Sequence, residues 1–268
     1  MTLTRGTRLS LRAIALGYLF VLLVVPLTMI FYRTFEDGLV AFWAQVTTPA
    51  GIAAISLSLT IVAIVVPLNV VFGVVTALAL ARGRFRGRGI VQAIVDLPFA
   101  VSPVIVGVSL ILLWGTGGWL GGVAEAGFQV IFSLPGMVLA TIFVTLPFVV
   151  REVEPVLQEI GHEQEEAAAT LGASRGQTFR RITLPAIRWG LVYGVVLTVA
   201  RALGEFGALI VVSGGVSGES QTLTLLVHAR YIDDHNVFGA YAASTVLMGF
   251  ALLTLLFMSA LNRKRAYA

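Results

Sequence analysis

The chain has 268 residues, 57% of them hydrophobic and only 12% charged, with mean hydropathy +0.93 and formal net charge +4. A water-soluble domain carries roughly 25% charged residues, so lipid covers much of this surface. There is no cysteine, which excludes a disulfide framework, a thiolate metal site and a cysteine nucleophile.

A helix that crosses a bilayer needs about 20 mostly apolar residues. Six stretches meet that requirement, at roughly 11–32, 52–81, 94–114, 133–150, 190–213 and 238–261. The expected fold is all-α, a polytopic membrane protein with six transmembrane helices. The first stretch follows Arg5, Arg8 and Arg12 as a signal peptide would, but its apolar run is too long and no A-x-A cleavage signal follows it. It reads as a retained first helix. In the second stretch, Pro67 with Asn69 gives a reason for a kink.

Six spans place both termini on one side, and the basic residues identify it. All but three of the 18 Lys and Arg fall before span one, between spans two and three (Arg82, Arg84, Arg86, Arg88), between spans four and five (Arg151, Arg175, Arg180, Arg181, Arg188), or at Arg263, Lys264 and Arg265. Only Arg33 and Arg230 lie opposite, with Arg201 inside a span. The positive-inside rule makes both termini cytoplasmic. The basic charge is therefore a topology signal and does not point to nucleic acid. On the outer side, the glycine-rich segment 115–132 reads as a loop. In 214–237, the apolar run Leu223 to Val227 is too short to span and is expected as a helix lying at the outer surface. Trp43, Trp114, Trp119 and Trp189 fall near span ends, as interface anchors do.

The longest polar segment, about 151–188, is built from strong helix signals. Glu163, Glu165 and Glu166 precede Ala167, Ala168 and Ala169, which puts carboxylates in a first turn where the helix dipole favours them. Gly172 stands where a helix ends in a left-handed residue, followed by Ala173. Ser174 and Gln177 have capping-box spacing, so a second helix starts there and Pro185 stops it. Two short helices around a tight bend form a rigid cytoplasmic projection. A P-loop needs a lysine followed by Ser or Thr. The only lysine, Lys264, is followed by Arg265, so any ATP hydrolysis belongs to another polypeptide.

At this loop the chain resembles a known family. Glu166-Ala167-Ala168, then Gly172, Ile182 and Leu184-Pro185 match the signature loop of ABC importer permeases in residue type and spacing. The resemblance implies a type I importer permease fold whose helix–bend–helix docks on a cytoplasmic ATPase. The coupling residues it implies are Glu165, Glu166, Ala167, Ala168, Gly172, Ala173, Ser174, Ile182, Leu184 and Pro185. Val144 to Gly161, Ala200 to Ala208, and Asp96-Leu97-Pro98 with Ser102-Pro103 look like sulfate and molybdate importers. Val211 to Val227 is similar to the W-type permease subunit of sulfate/thiosulfate importers. Molybdate, tungstate and thiosulfate stay open beside sulfate, since all are tetrahedral divalent anions.

The implied partners are a second, non-identical permease, two cytoplasmic ABC ATPase subunits that hold ATP and Mg, an extracytoplasmic sulfate-binding protein and the lipid bilayer. No cofactor is expected on this chain. The expected location is the bacterial inner membrane. The expected organisation is an N-terminal helix and outer loop at 1–50, the importer transmembrane domain at 51–262 and a cytoplasmic tail at 263–268.

Charges inside a span are costly and face a cavity or a partner. Arg201 and Glu205 lie four apart in span five. Either Arg201 attracts a divalent anion on the translocation path and Glu205 tempers its charge, or the two are a structural pair. Asp96, two residues before Pro98, has the place of an N-cap, with a role on the path as the other reading. Ser102, Ser109 and Ser213 could line a polar path, although serines in spans more often bond to their own helix. Gly190 and Gly194 form a small-xxx-small step that could pack between subunits or within one. Asp233, Asp234 and His235 are adjacent and read as an outer loop, not a metal site. A gradient-driven carrier would have no use for the Glu166 to Pro185 pattern, and an intramembrane enzyme would need a nucleophile–base or metal cluster that the spans lack.

Overall fold

The computed structural model describes residues 5–266, and every regular element among them is helical. Five helical stretches are long and apolar enough to cross a membrane: Leu9–Phe35, Pro49–Arg82, Leu134–Ile160, Arg175–Leu203 and Val237–Ala260. Arg88–Ala100 with Pro103–Trp114 makes a sixth that is sharply broken, by 113°. Part of the expected tail (267–268) lies outside the described residues, as do the side chains of Arg5, Arg8 and Arg263 to Arg265.

The first span joins α1 (Arg5–Leu19) and α2 (Val25–Phe35) through a π-helical turn, Phe20–Val24. It leaves its apolar surface exposed within this chain. Its far end is anchored, where buried Thr34 bonds Thr245 at 2.8 Å. A short α3 (Gly38–Val46) leads into α4 (Pro49–Arg82), whose first turn is capped by Thr48 accepting from the Gly51 amide. α4 is continuous through Pro67 for 34 residues. Its buried side runs through Ala54, Ser58, Ile61, Val65, Asn69, Gly73 and Ala77, a stripe at helical spacing that is mostly small. Lipid tails give two helices no hydrophobic reason to associate, so close approach at small residues and a few polar contacts must hold them.

That stripe packs against α8 (Leu134–Ile160), which is the centre of the fold. α11 (Leu184–Leu203) packs on α8 as well, and also on α4. A Cβ on Gly73 would meet Val149 of α8 at 2.7 Å, and one on Gly194 of α11 would meet the Val149 backbone at 2.9 Å. One on Gly190 would sit 2.6 Å from the Glu152 carbonyl. The Gly190–Gly194 step therefore packs within the chain, and α8 is held closely by both helices. Buried Asn69 donates to Thr145 at 2.6 Å across the first of these contacts.

Three elements differ from the expected spans. Span three is two helices, α5 (Arg88–Ala100) and α6 (Pro103–Trp114). Val101 and Ser102 between them are extended, and at Ser102 this follows from Pro103, since proline pushes the residue before it out of the helical region. Span four does not end near residue 150. α8 continues to Ile160 through Pro155, so Arg151, Glu152 and Glu154 are helical and the loop begins only at Gly161. Span five starts earlier and ends sooner, because Leu203 is followed by a bend and by α12 (Leu209–Val212), which folds back on α6.

The run after residue 222 is a correction as well. After the short α7 (Gly121–Glu125) of the 115–132 segment, the chain later forms α13 (Leu223–His228), a π-helical turn Ala229–Asp233, and α14 (Val237–Ala266). α13 does not lie on the surface. Leu223, Leu225 and Leu226 are buried, and Leu223 and Leu226 pack among Ala54 and Ala243. The Leu223 amide donates to Ser58 of α4 at 2.8 Å. Arg230, also buried, donates to the carbonyls of Gly239 and Gln45 and to the Thr48 hydroxyl. These bonds satisfy a short polar segment inside the bundle, so it need not stay in water.

Candidate functional site

The signature loop is a complete pair of helix ends. α9 (Glu163–Thr170) opens with Glu163, Glu165 and Glu166 in its first turn and buries none of its residues. It ends at Gly172, with φ of +83°. The Gly172 amide donates to Ala169 O and the Ala173 amide to Ala168 O, each at 3.0 Å. This is the Schellman arrangement, which needs a left-handed residue at that position. Two residues later Ser174 starts α10 (Arg175–Thr178) with both halves of a capping box, Ser174 N to Gln177 Oε1 at 2.9 Å and Gln177 N to Ser174 Oγ at 3.4 Å. The bend and the second cap are where the spacing puts them.

Pro185, however, does not stop the second helix. α10 runs through a π-helical turn, Phe179–Thr183, straight into α11, with Pro185 in the first turn of the latter. Pro185 cannot donate within the helix, and the π-helical turn just before it is where the regular bonding ladder is already interrupted. The projection is thus continuous with a membrane helix from Arg175 to Leu203. Glu166, Ala167 and Gly172 are exposed, Ile182 is half-buried, and Leu171 at the tip is 88% exposed.

Glu165 faces inward. Arg82 at the end of α4 pairs with it at 3.2 Å, and the Thr183 hydroxyl donates to it at 2.8 Å. Another Arg82 nitrogen donates to the Leu157 carbonyl of α8 at 2.8 Å. The sequence presents Arg82 only as one of several cytoplasmic positive charges. Nothing local indicates the carboxylate it meets, which lies 83 positions later.

The charges expected inside the membrane separate into two groups. Asp96 is in the interior of α5 and is not an N-cap. That helix begins at Arg88 after a left-handed Gly87, and Asp96 takes two bonds from Arg151 of α8, at 2.8 and 3.0 Å. The Arg151 guanidinium also lies 4.3 Å from the centre of the Phe99 ring. Nearby, Arg88 pairs with Glu154 at 3.6 Å. These contacts tie the first half of the broken span to α8.

Arg201 and Glu205 do pair, at 2.8 Å. Yet they do not share a helix, since α11 ends at Leu203 and Glu205 sits in the bend beyond it. The Glu205 side chain is fully buried, and its second oxygen accepts the Ala208 amide at 2.8 Å. Arg201 keeps 34% of its side chain exposed. The carboxylate therefore fixes the start of the folded-back segment, while the cation faces outward from it. A Cβ on Gly207 would meet Pro103 at 3.0 Å, so the two broken spans touch at their breaks. Ser102 stands there, exposed, at the start of α6 with no side-chain cap bond. Asp96 lies apart from this meeting point in its pair with Arg151, and Ser213 is buried with its hydroxyl accepting from the Gly215 amide. Ser109 bonds to its own helix at Ile105 O.

The family model described as binding-protein-dependent transport system inner membrane component matches residues 69–267. Over 256 residues the chain is 47% identical to the sulfate transport system permease protein CysW of Synechocystis sp., covering 95% of this chain and 92% of that protein. It is 47% identical over 242 residues to CysW of Escherichia coli, covering 90% and 83%. It is 34% identical over 264 residues to the sulfate transport system permease protein CysT of that organism, covering 98% and 92%. A solved bacterial ABC transporter that imports the polysaccharide alginate superposes with a TM-score of 0.78 over 97% of this chain and 96% of that one, at 20% identity, a likeness of fold. With that match and the signature loop in place, the chain belongs to the family of binding-protein-dependent transport system inner membrane components, the permease subunits of ABC importers.

Proposed function

We propose that this chain is the W-type permease subunit of an importer for sulfate or thiosulfate. It forms the translocation pathway with a second, non-identical permease and is driven by two cytoplasmic ATPases that bind ATP and Mg. An external binding protein delivers the anion. The chain sits in the bacterial inner membrane with both termini in the cytoplasm. The observation that carries the transport reading is the signature loop, a capped, exposed projection continuous with a membrane helix. The 47% identity to sulfate permeases over nearly the whole chain supports the substrate.

The geometry gives the chain's part in the cycle. From Arg175 to Leu203 is 29 residues of continuous helix, about 44 Å at 1.5 Å per residue. One end sits at the signature loop, where Glu166, Gly172 and their neighbours meet the ATPase. The other end carries Arg201. A displacement at the loop is therefore carried along one helix, through its π-helical turn, to the cation that faces the pathway. At that end two helices break against each other, and broken helices are where transporters place ion and substrate contacts. Arg201 and Ser102 attract the dianion there, and Glu205 holds Arg201 and weakens its charge enough for release. Tight binding resides in the external protein, so one half-compensated cation suffices.

The test is uptake of labelled sulfate into proteoliposomes containing the complex that co-purifies with this chain, with thiosulfate and molybdate as competitors. Uptake that requires ATP and the binding protein is the expected result. A complex that hydrolyses ATP but ignores all three anions would remove the oxyanion assignment. Uptake without nucleotide would remove the importer assignment.

A further inference from the structure

The two glutamates that open the signature loop do different things. Glu166 is exposed, and its neighbour Glu165 is turned toward the membrane helices, with 23% of its side chain exposed. Glu165 receives Arg82 from the end of α4, at 3.2 Å, and the hydroxyl of Thr183 in the π-helical turn before α11, at 2.8 Å. Arg82 also donates to the Leu157 carbonyl in the last turns of α8. One ion pair thus joins the signature helix to three membrane helices.

Apart from the chain's own continuation through α10 into α11, little else ties α9 to them. α9 buries no residue. A cavity of about 310 Å³, lined by Leu78, Glu165, Ala169, Ala173, Phe179 and Thr183, lies between the loop and α4. The covalent link from α8 to α9 is a two-residue turn, Gly161 at φ +70° and His162. Apolar packing transmits motion because packed cores resist continuous deformation, and α9 takes no part in it: Phe179, in the π-helical turn beyond α10, is what packs against the core of α4 and α8. The polar contact bypasses both the cavity and the turn. It is also well shielded, with Arg82 only 16% exposed, unlike a solvated surface pair of negligible worth.

We propose that Arg82 and Glu165 form the joint through which movement of the signature loop reaches α4 and α8, acting as positioning residues in the transport cycle. Glu166 and Leu171 on the outer side of the same projection meet the motor, and Glu165 hands the motion inward. The proposal rests on the ATP-driven importer reading.

The experiment uses the complete reconstituted complex and measures anion taken up per ATP hydrolysed, together with the amount and melting temperature of the complex. The variants are Arg82→Gln, Glu165→Gln, Arg82→Lys and the swap Arg82→Glu with Glu165→Arg. Glu165→Gln keeps an acceptor for Thr183 and removes only the charge. In assembled complexes of either charge-removing variant, uptake per ATP is expected to fall at least about fivefold, the low end of ordinary coupling between sites. Arg82→Lys, which keeps the charge without the second bond to Leu157, is expected to lie between. The swap restores the pair without the Leu157 bond and is expected to recover the ratio in part, to about the level of Arg82→Lys. A purely structural pair would lower the yield or the melting temperature and leave uptake per ATP at the wild-type value in what assembles, and that result overturns the proposal. So does a swap that assembles yet stays uncoupled. Wild-type uptake that needs no ATP would instead defeat the importer reading, and the joint with it.

Discussion

Replacing Gly172 by valine isolates the conformational demand of the signature loop. A Cβ at this position meets nothing within 4 Å, so there is no collision to confuse the result. The backbone sits at φ +83°, where an L-residue costs roughly 1–2 kcal/mol and a β-branched one resists most. The chain can keep the turn at that cost, or abandon it and lose the two 3.0 Å bonds at Gly172 and Ala173, about 0.5–1.5 kcal/mol each. Since the chain takes the less costly route, the local equilibrium shifts by no more than roughly 5- to 30-fold. Amide hydrogen exchange across residues 163–178 is expected to speed up by up to that factor, while the membrane helices keep their protection. Uptake per ATP is expected to drop with it. Gly172→Asn is the control, because asparagine tolerates the left-handed region, and it should stay near wild type. Unchanged exchange and uptake in Gly172→Val would refute the argument that the left-handed turn couples the loop to transport.

Three further predictions follow from the packing and the buried charges. Gly194→Val places a Cβ 2.9 Å from the Val149 backbone, overpacking worth about 1–3 kcal/mol, and should lower the melting temperature in detergent. Gly249→Ala, which meets nothing within 4 Å, should not. Thr145→Val strands the buried Asn69 amide at about 1–3 kcal/mol, whereas adding Asn69→Leu to it should recover most of that loss in a thermal melt. Arg201→Ala leaves fully buried Glu205 without its cation, costing about 3–5 kcal/mol of stability. The double variant Arg201→Met with Glu205→Met should restore assembly but not uptake, with anion capture by the binding protein intact. Normal uptake in that double variant would make the pair purely structural.

Much of this protein can be read from local sequence. Apolar runs of bilayer length reveal the spans, since no other segment can satisfy its backbone in lipid. The signature loop is equally legible, because a Schellman turn and a capping box need particular residues a few positions apart: Gly172 for its sign of φ, Ser174 and Gln177 for their reciprocal bonds. What depends on distant neighbours is not legible in this way. Asp96 reads as a cap beside Pro98 and turns out to pair with Arg151, 55 positions away. Gly190 and Gly194 mark a close approach without naming the partner, which only the placement of α8 supplies. The breaks in spans three and five leave hydrophobicity unchanged, so composition passes over them. Leu223 to Val227 looks like a surface helix until Ser58 and Ala54 are seen to receive it. Sequence determined which segments are apolar enough to enter the membrane and how the signature loop is capped, because those are short-range contests of solvation and backbone conformation. Tertiary structure alone decided which charges meet and where two broken helices touch, because the energy of a buried pair depends on what the fold brings beside it.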